Sequence, residues 1–223
     1  LSRDCRKLKE VIESARAINP RVITVVGGGI ISSDPEPAMR VLDADIGVIG
    51  EGEVTICELA RALDSAQSYA DVNGLIFKNG RDSFTITPPR KEIADIDSIP
   101  MPDFDGFGYA RWVAATNSGV LLTDRSCPFR CTFCFHPTGS KYRQRSLESI
   151  FEEIDFQIEH YHLKSVGLSS ELFSTNKQRV EEFCHRIQSY KIPWSCCLRV
   201  SDVDADMLKL MKAAGCVNLV LGL

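Results

Sequence analysis

The 223-residue sequence lacks any apolar run approaching the ~18–20 residues that a membrane span needs, and its start shows no secretory-leader pattern. A cytoplasmic, water-soluble protein is therefore expected. There is no excess of positive charge either: 26 Lys and Arg stand against 30 Asp and Glu, a net charge of -4. Broad nucleic-acid binding leaves a basic footprint, so it is not expected here. No G-x-G-x-x-G dinucleotide fingerprint occurs. No histidine precedes His136; the other three are His160, His162 and His185. What is present is a 44% apolar chain with 25% charged residues, enough for a real core.

Cysteine is abundant. The nine are Cys5, Cys57, Cys127, Cys131, Cys134, Cys184, Cys196, Cys197 and Cys216. The number is odd and most lie in apolar or helical surroundings, unlike a short, loop-rich disulfide scaffold. A reducing compartment fits, with most of them acting as small buried hydrophobes.

Along the chain, helices alternate with strands. Residues 3–18 carry Leu8, Val11, Ile12, Ala15 and Ile18 at helical spacing, and Asn19-Pro20 stops the helix. "RVITVV" (21–26) reads as a buried parallel strand, followed by "GGG". Asp34-Pro35 opens a short helix. "DIGVIG" (45–50) is a strand and 53–63 a helix with Val54, Cys57 and Leu63 facing inward. "GLIFKNG" and "SFTIT" read as a hairpin or two short strands. Residues 88–118 hold four prolines and little periodicity, as a linker does.

From residue 119 the alternation resumes. "GVLLTD" is a strand, and Ser146 caps a helix at 147–161 with Leu147, Ile150, Phe151, Ile154, Ile158 and Tyr161 on one stripe. "SVGLS" is a strand, and Thr175 with Gln178 makes a capping box for a helix at 176–190. "WSCCLRV" is a strand, 204–215 a helix ended by Gly215, and 217–223 a last strand. Repeated β–α units predict parallel sheets in an α/β fold. Four such units leave an open edge, so a piece of a longer protein is expected; the alternative is an open four-stranded sheet complete in itself.

The chemistry concentrates in "TDRSCPFRCTFCFHP" (123–137), where Cys127, Cys131 and Cys134 are spaced C-x3-C-x2-C directly after a predicted strand. Three thiolates on one loop can hold three irons of a cubane cluster and leave the fourth iron open. An open position is the logic of a catalytic metal site. A closed Cys3His zinc site with His136 is the alternative, but structural zinc usually collects its ligands as two separated pairs. Lys141, Arg143 and Arg145 follow as a basic run that reads as a solvated face or as a site for an anionic substrate group.

"CPFRCTFC" resembles the signature of the radical S-adenosylmethionine (SAM) superfamily, and the resemblance extends over 119–223. It implies a partial or full (β/α) barrel of the TIM type and a [4Fe-4S] cluster held by Cys127, Cys131 and Cys134. In that family SAM chelates the open iron. One electron then splits the sulfonium, and a 5′-deoxyadenosyl radical takes hydrogen from the substrate. The resemblance further implies Phe133 packing near the adenine and the Phe135 backbone as its hydrogen-bond partner. The family's Gly-Gly-Glu element is replaced here by "SSELFS", where Glu171 can still accept from an ammonium group. Arg199 can form a fork to the methionine carboxylate or a rim ion pair. Reduction of the cluster implies a donor such as flavodoxin or ferredoxin.

The first half, "VVGGGIISSDPEPAMRVLDADIGVIGEGEVTICELARAL", resembles the carboxy-terminal part of a Rossmann-like cobalamin-binding domain. Gly27 and Gly28 match its Gly-Gly element, beside the nucleotide tail of cobalamin. The lower-ligand motif Asp-x-His-x-x-Gly is absent. The expected organisation is a cobalamin-binding part at 1–87, a linker at 88–118 and the first half of a radical SAM barrel at 119–223. The implied function is cobalamin-dependent methyl transfer to an unactivated carbon of a small-molecule or natural-product substrate. Alternatives are a radical cyclase or rearrangement enzyme, a methylthiotransferase-like enzyme, or a non-catalytic iron–sulfur or zinc protein.

Overall fold

The computed structural model describes residues 3–80, 83–136 and 139–222. It divides into two compact units, Leu1–Ile93 with Cys131–Gly139, and Ala94–Arg130 with Ser140–Leu223.

The first unit opens on α1 (Arg3–Ile18). The helix buries Cys5 and Ile12 while Val11 and Ile18 stay exposed, so its apolar stripe is only partly covered. Next come β1 (Val25–Val26), the short α2 (Gly29–Ser33), α3 (Pro35–Leu42) and β2 (Ile46–Val48). β1 and β2 pair in parallel. β1 is shorter than the expected 21–26 strand, because Thr24 and Asp45 exchange side-chain bonds where the ladder would begin. The Thr24 amide and hydroxyl donate to Asp45 Oδ2 at 2.8 and 2.6 Å.

α4 (Glu53–Asp64) follows and turns Thr55, Leu59 and Ala62 inward. This differs from the expected face: Val54 and Cys57 are exposed and Leu63 is only half-buried. The reason is polar. Thr55 Oγ1 donates to the Asn73 carbonyl and accepts from Arg90 Nε, which draws a hydroxyl into the interior. β3 (Leu75–Lys78) and β4 (Phe84–Ile86) form the expected hairpin, giving an order β1-β2-β3-β4 with the last two pairings antiparallel. Gly47 on β2 packs where a Cβ would lie 2.6 Å from the Ile76 side chain, so the strand is tightly sandwiched there.

In the second unit, the later part of the expected linker is structured. It carries 3-10 turns at Ile96–Ser98 and Asp105–Phe107 and the helix α5 (Tyr109–Thr116). Phe104 is buried among Tyr109, Phe156 and Tyr161, with ring centroids 4.6–5.9 Å away. Aromatic packing replaces the helical periodicity that the sequence lacks here.

Then come β5 (Ser118–Leu121), β6 (Asp124–Arg125), β7 (Arg143–Gln144), α6 (Leu147–Tyr161), β8 (Ser165–Leu168), α7 (Lys177–Ile187), β9 (Trp194–Arg199), α8 (Ala205–Ala213) and β10 (Cys216–Gly222). Four strands pair in parallel in the order β5-β8-β9-β10, an arc of a (β/α) barrel. Leu223, at the end of the expected last strand, lies outside the described residues.

The helices start as their caps dictate. Ser146 accepts from the Ser149 amide and Asp204 from the Met207 amide. For α7 the cap is Asn176, which accepts from the Arg179 amide at 3.2 Å, and not Thr175. Thr175 is taken up elsewhere, as described below. One core joins sheet to helices: Leu121, Ile150, Ile154, Phe183, Ile187 and Trp194 are all at most 1% exposed. Burying each of these side chains contributes roughly 1.5–3 kcal/mol. Trp194 also donates from Nε1 to the Ala214 carbonyl at 2.9 Å, so its polar edge is satisfied.

Candidate active site

The cysteine loop leaves and re-enters the second unit through β6 and β7. These two strands pair antiparallel, with Asp124 opposite Gln144 and Arg125 opposite Arg143. The stem is buried: Thr123, Asp124 and Ser126 are at most 1% exposed. Ser126 has φ 63°, a left-handed conformation that turns the chain immediately before Cys127. Phe129 lies under the Arg199 guanidinium, 3.7 Å from ring centroid to Cζ. Arg130 donates to the Ser140 carbonyl at 3.1 Å.

The tip is different. The Cys134 amide donates to the Cys131 carbonyl at 3.0 Å, and the Gly139 amide to the His136 carbonyl at 3.4 Å. Cys127 and Cys131 are half-buried, Cys134 is exposed, and all three are free thiols. Phe133 is 78% and Phe135 52% exposed. Among the described residues, no group of three or more His, Cys, Asp and Glu side chains is already gathered as a metal shell. The donor set nonetheless suits an iron–sulfur cluster: three soft, unoxidised ligands on one accessible loop.

Glu171 sits on the loop after β8, with its side chain exposed. Its amide and that of Leu172 donate to Asp124 Oδ1 at 3.1 and 3.3 Å. Thr123 donates to Asp124 Oδ2 at 3.0 Å. Burial pushes the Asp124 carboxyl up to about 6, against the pull of these donors and of the nearby Arg179 charge. Tyr142 donates to the Leu172 carbonyl at 2.9 Å and accepts from Gln144 and Thr175, each at 2.7 Å. Its phenol is pushed up to about 12, first by burial and then by the Asp124 charge. Ser170, beside Glu171, is buried.

The next strand end joins in. Ser174 donates to Asp202 Oδ2 at 2.9 Å, and Arg199 closes β9 with its guanidinium face on Phe129. The Arg199 charge over the Phe129 ring holds the guanidinium beside the start of the cysteine loop.

Asp124, Phe129, Tyr142 and Ser174 were not singled out by sequence reasoning. A single signal existed, an acidic residue at a strand end just ahead of a cysteine loop.

In the first unit, Gly27 and Gly28 follow β1, at the carboxyl ends of the parallel strands. Gly28 has φ 85° with open space where a Cβ would point, so its backbone and not crowding demands glycine. The Gly50 amide, after β2, donates to Ser32 Oγ at 2.9 Å. Glu51 is buried and accepts from the Ile93 amide at 2.7 Å.

Residues 122–223 match the Radical SAM superfamily, and residues 1–60 match the B12 binding domain. The two matches lie one in each half of the chain, a B12 binding domain ahead of a radical SAM domain.

Relatives follow nearly the whole chain. An uncharacterized methyltransferase of Pyrococcus horikoshii is 33% identical over 220 residues, covering 96% of this chain and 48% of that protein. The anaerobic magnesium-protoporphyrin IX monomethyl ester cyclase of Synechocystis is 27% identical, covering 92% of this chain and 42% of that protein. The chain thus spans about half the length of the curated relatives it matches. Among solved structures, the radical SAM methyltransferase TsrM of Kitasatospora setae, bound to tryptophan and a SAM analogue, superposes with TM-score 0.76 at 23% identity. It covers 98% of this chain and 44% of TsrM. A second TsrM structure, with cobalamin and a [4Fe-4S] cluster, gives 0.75. At this identity the likeness shows the fold alone. No helix among the described residues is long and apolar enough to cross a membrane.

Proposed function

We propose that the chain is the cofactor-binding part of a cobalamin-dependent radical SAM enzyme that methylates an unactivated carbon of a small-molecule or natural-product substrate. Residues 1–87 are its cobalamin side, 119–223 its radical side, and 88–118 the passage between them. The observation that carries this reading is the C-x3-C-x2-C loop on a (β/α) arc, on a chain that also matches a B12 binding domain.

Cys127, Cys131 and Cys134 would hold a [4Fe-4S] cluster. When bound, the cluster supplies the electron that cleaves SAM, and cobalamin carries the methyl group. The chain's own residues orient and hold. Glu171 accepts from the methionine ammonium, and Arg199, steadied by the Phe129 ring, offers its guanidinium to the carboxylate. Phe133 and the Phe135 backbone meet the adenine, consistent with the exposure of both rings. Gly27 and Gly28 let the nucleotide tail of cobalamin approach the backbone closely. A bound cluster would call for an external electron donor such as flavodoxin or ferredoxin. Methyl transfer is favoured by the relatives named as methyltransferases. The cyclase relative favours a second reading, radical chemistry on the substrate without a transferred methyl group.

The test uses the intact protein, reconstituted anaerobically. About four irons per chain, a cobalamin spectrum, and 5′-deoxyadenosine formed with dithionite support the reading. One zinc per chain with no SAM cleavage contradicts it.

A further inference from the structure

The stem of the cysteine loop and the loop carrying Glu171 are tied by a closed ring of hydrogen bonds. Asp124 stands on β6, just ahead of the cysteines, and takes both the Glu171 and Leu172 amides on one oxygen, at 3.1 and 3.3 Å. Tyr142 stands just behind the cysteines and donates to the carbonyl of the same Leu172 at 2.9 Å. Gln144, opposite Asp124 in the β6–β7 ladder, donates to the Tyr142 hydroxyl at 2.7 Å. Thr175, at the far end of the Glu171 loop, donates to that hydroxyl too. The ring therefore runs from Asp124 to Leu172, to Tyr142, to Gln144 and back across the ladder. It grips the Leu172 peptide units from both sides.

Nothing about strand ends requires this. The ordinary ladder between β5 and β8 is already finished at Ser169, whose amide donates to the Leu121 carbonyl at 2.7 Å. The β5–β8 pairing ends at Leu121 and Leu168, and beyond it Asp124 and Tyr142 bond the Glu171 and Leu172 backbone. Asp124 is 1% exposed. Burying a carboxylate is costly unless its hydrogen bonds matter to the fold or to the site it supports. The two amide bonds at Asp124 come from the loop that carries the exposed Glu171.

We propose that Asp124 and Tyr142 are positioning residues for SAM. They fix the backbone that carries Glu171 against the stem of the cysteine loop, and so hold the proposed ammonium site in place. This rests on the reading of Glu171 and the cysteines given above. Neither residue touches SAM. Each acts through the backbone it holds.

The test measures SAM dissociation by equilibrium dialysis on the intact, anaerobically reconstituted protein, alongside iron content and amide hydrogen exchange. Asp124→Ala and Tyr142→Phe are expected to weaken SAM binding tenfold or more while iron per chain is unchanged. Asp124→Asn keeps an oxygen for both amides and should bind within about threefold of the wild type. Amides of the 170–172 segment should exchange faster in Asp124→Ala and not in Asp124→Asn. Should Asp124→Ala fail to fold, the Tyr142→Phe and Asp124→Asn pair decides. Faster exchange with unchanged SAM affinity makes the ring merely structural and overturns the proposal. Equal loss in Asp124→Asn and Asp124→Ala overturns it as well. If the wild type takes up neither iron nor SAM, the functional reading fails instead.

Discussion

The tip of the cysteine loop and its stem are built from opposite materials. At the tip, Cys134, Phe133 and Phe135 are exposed and a single 3.0 Å backbone bond shapes the Cys131–Cys134 turn. At the stem, Thr123, Asp124 and Ser126 are buried and bonded on several sides. The contrast teaches a division of labour. Groups that meet a cofactor stay accessible and contribute little to folding, while the groups that place them are locked into the core. Changes at the tip should therefore cost function without stability, and changes that remove the stem's hydrogen bonds or packing should cost both.

The largest expected effect at the tip comes from Cys131→Ser. Iron retention and SAM cleavage should be lost, while the melting temperature of the metal-free protein stays within about 2 °C, since no core contact is removed. The core beneath the stem gives the opposite outcome. Phe183→Ala removes a fully buried ring that packs edge-on against Trp194 and Phe173, and should destabilise by about 3–5 kcal/mol in urea unfolding. Loss of iron in that variant should then follow unfolding and not precede it.

A smaller effect separates the stem's charge from its hydrogen bonds. Asp124 titrates near 6 in the folded chain and near 3.8 when unfolded, because burial disfavours the carboxylate. The folded state therefore holds more protons between those values, and this group makes stability fall as pH rises from about 4 to 6. Asp124→Asn should flatten that part of the profile. Above pH 6 it should be more stable than the wild type by on the order of 2 kcal/mol, with the difference gone below pH 4. Urea melts across that range check the sign. The smallest effect returns to the tip: Phe133→Ala should change stability by less than about 0.5 kcal/mol and raise the KM for SAM several-fold.

The sequence was most readable where one local rule decides. The apolar stripe of α6 and its Ser146 cap are local, and they stand where the spacing puts them. Reading failed where a distant partner competes. Thr55 turns inward for Asn73 and Arg90, which rotates the buried face of α4 away from Val54 and Cys57. Thr175 gives up its capping role to bond Tyr142, and Asn176 caps α7 instead. The site divides in the same way. The three cysteines declare themselves by spacing within one loop. The bonds that tie Tyr142 and Asp124 to Leu172 span 30 and 48 residues, so beyond the acidic residue ahead of the cysteine loop no periodicity or motif announces them.

The account turns on three thiolates leaving one iron open. The most direct measurement is the electron paramagnetic resonance spectrum of the reduced, reconstituted protein with and without SAM. The account predicts one [4Fe-4S] signal per chain that shifts when SAM is added and disappears in Cys131→Ser. A signal untouched by SAM, or a chain that takes zinc and shows no signal, would contradict it.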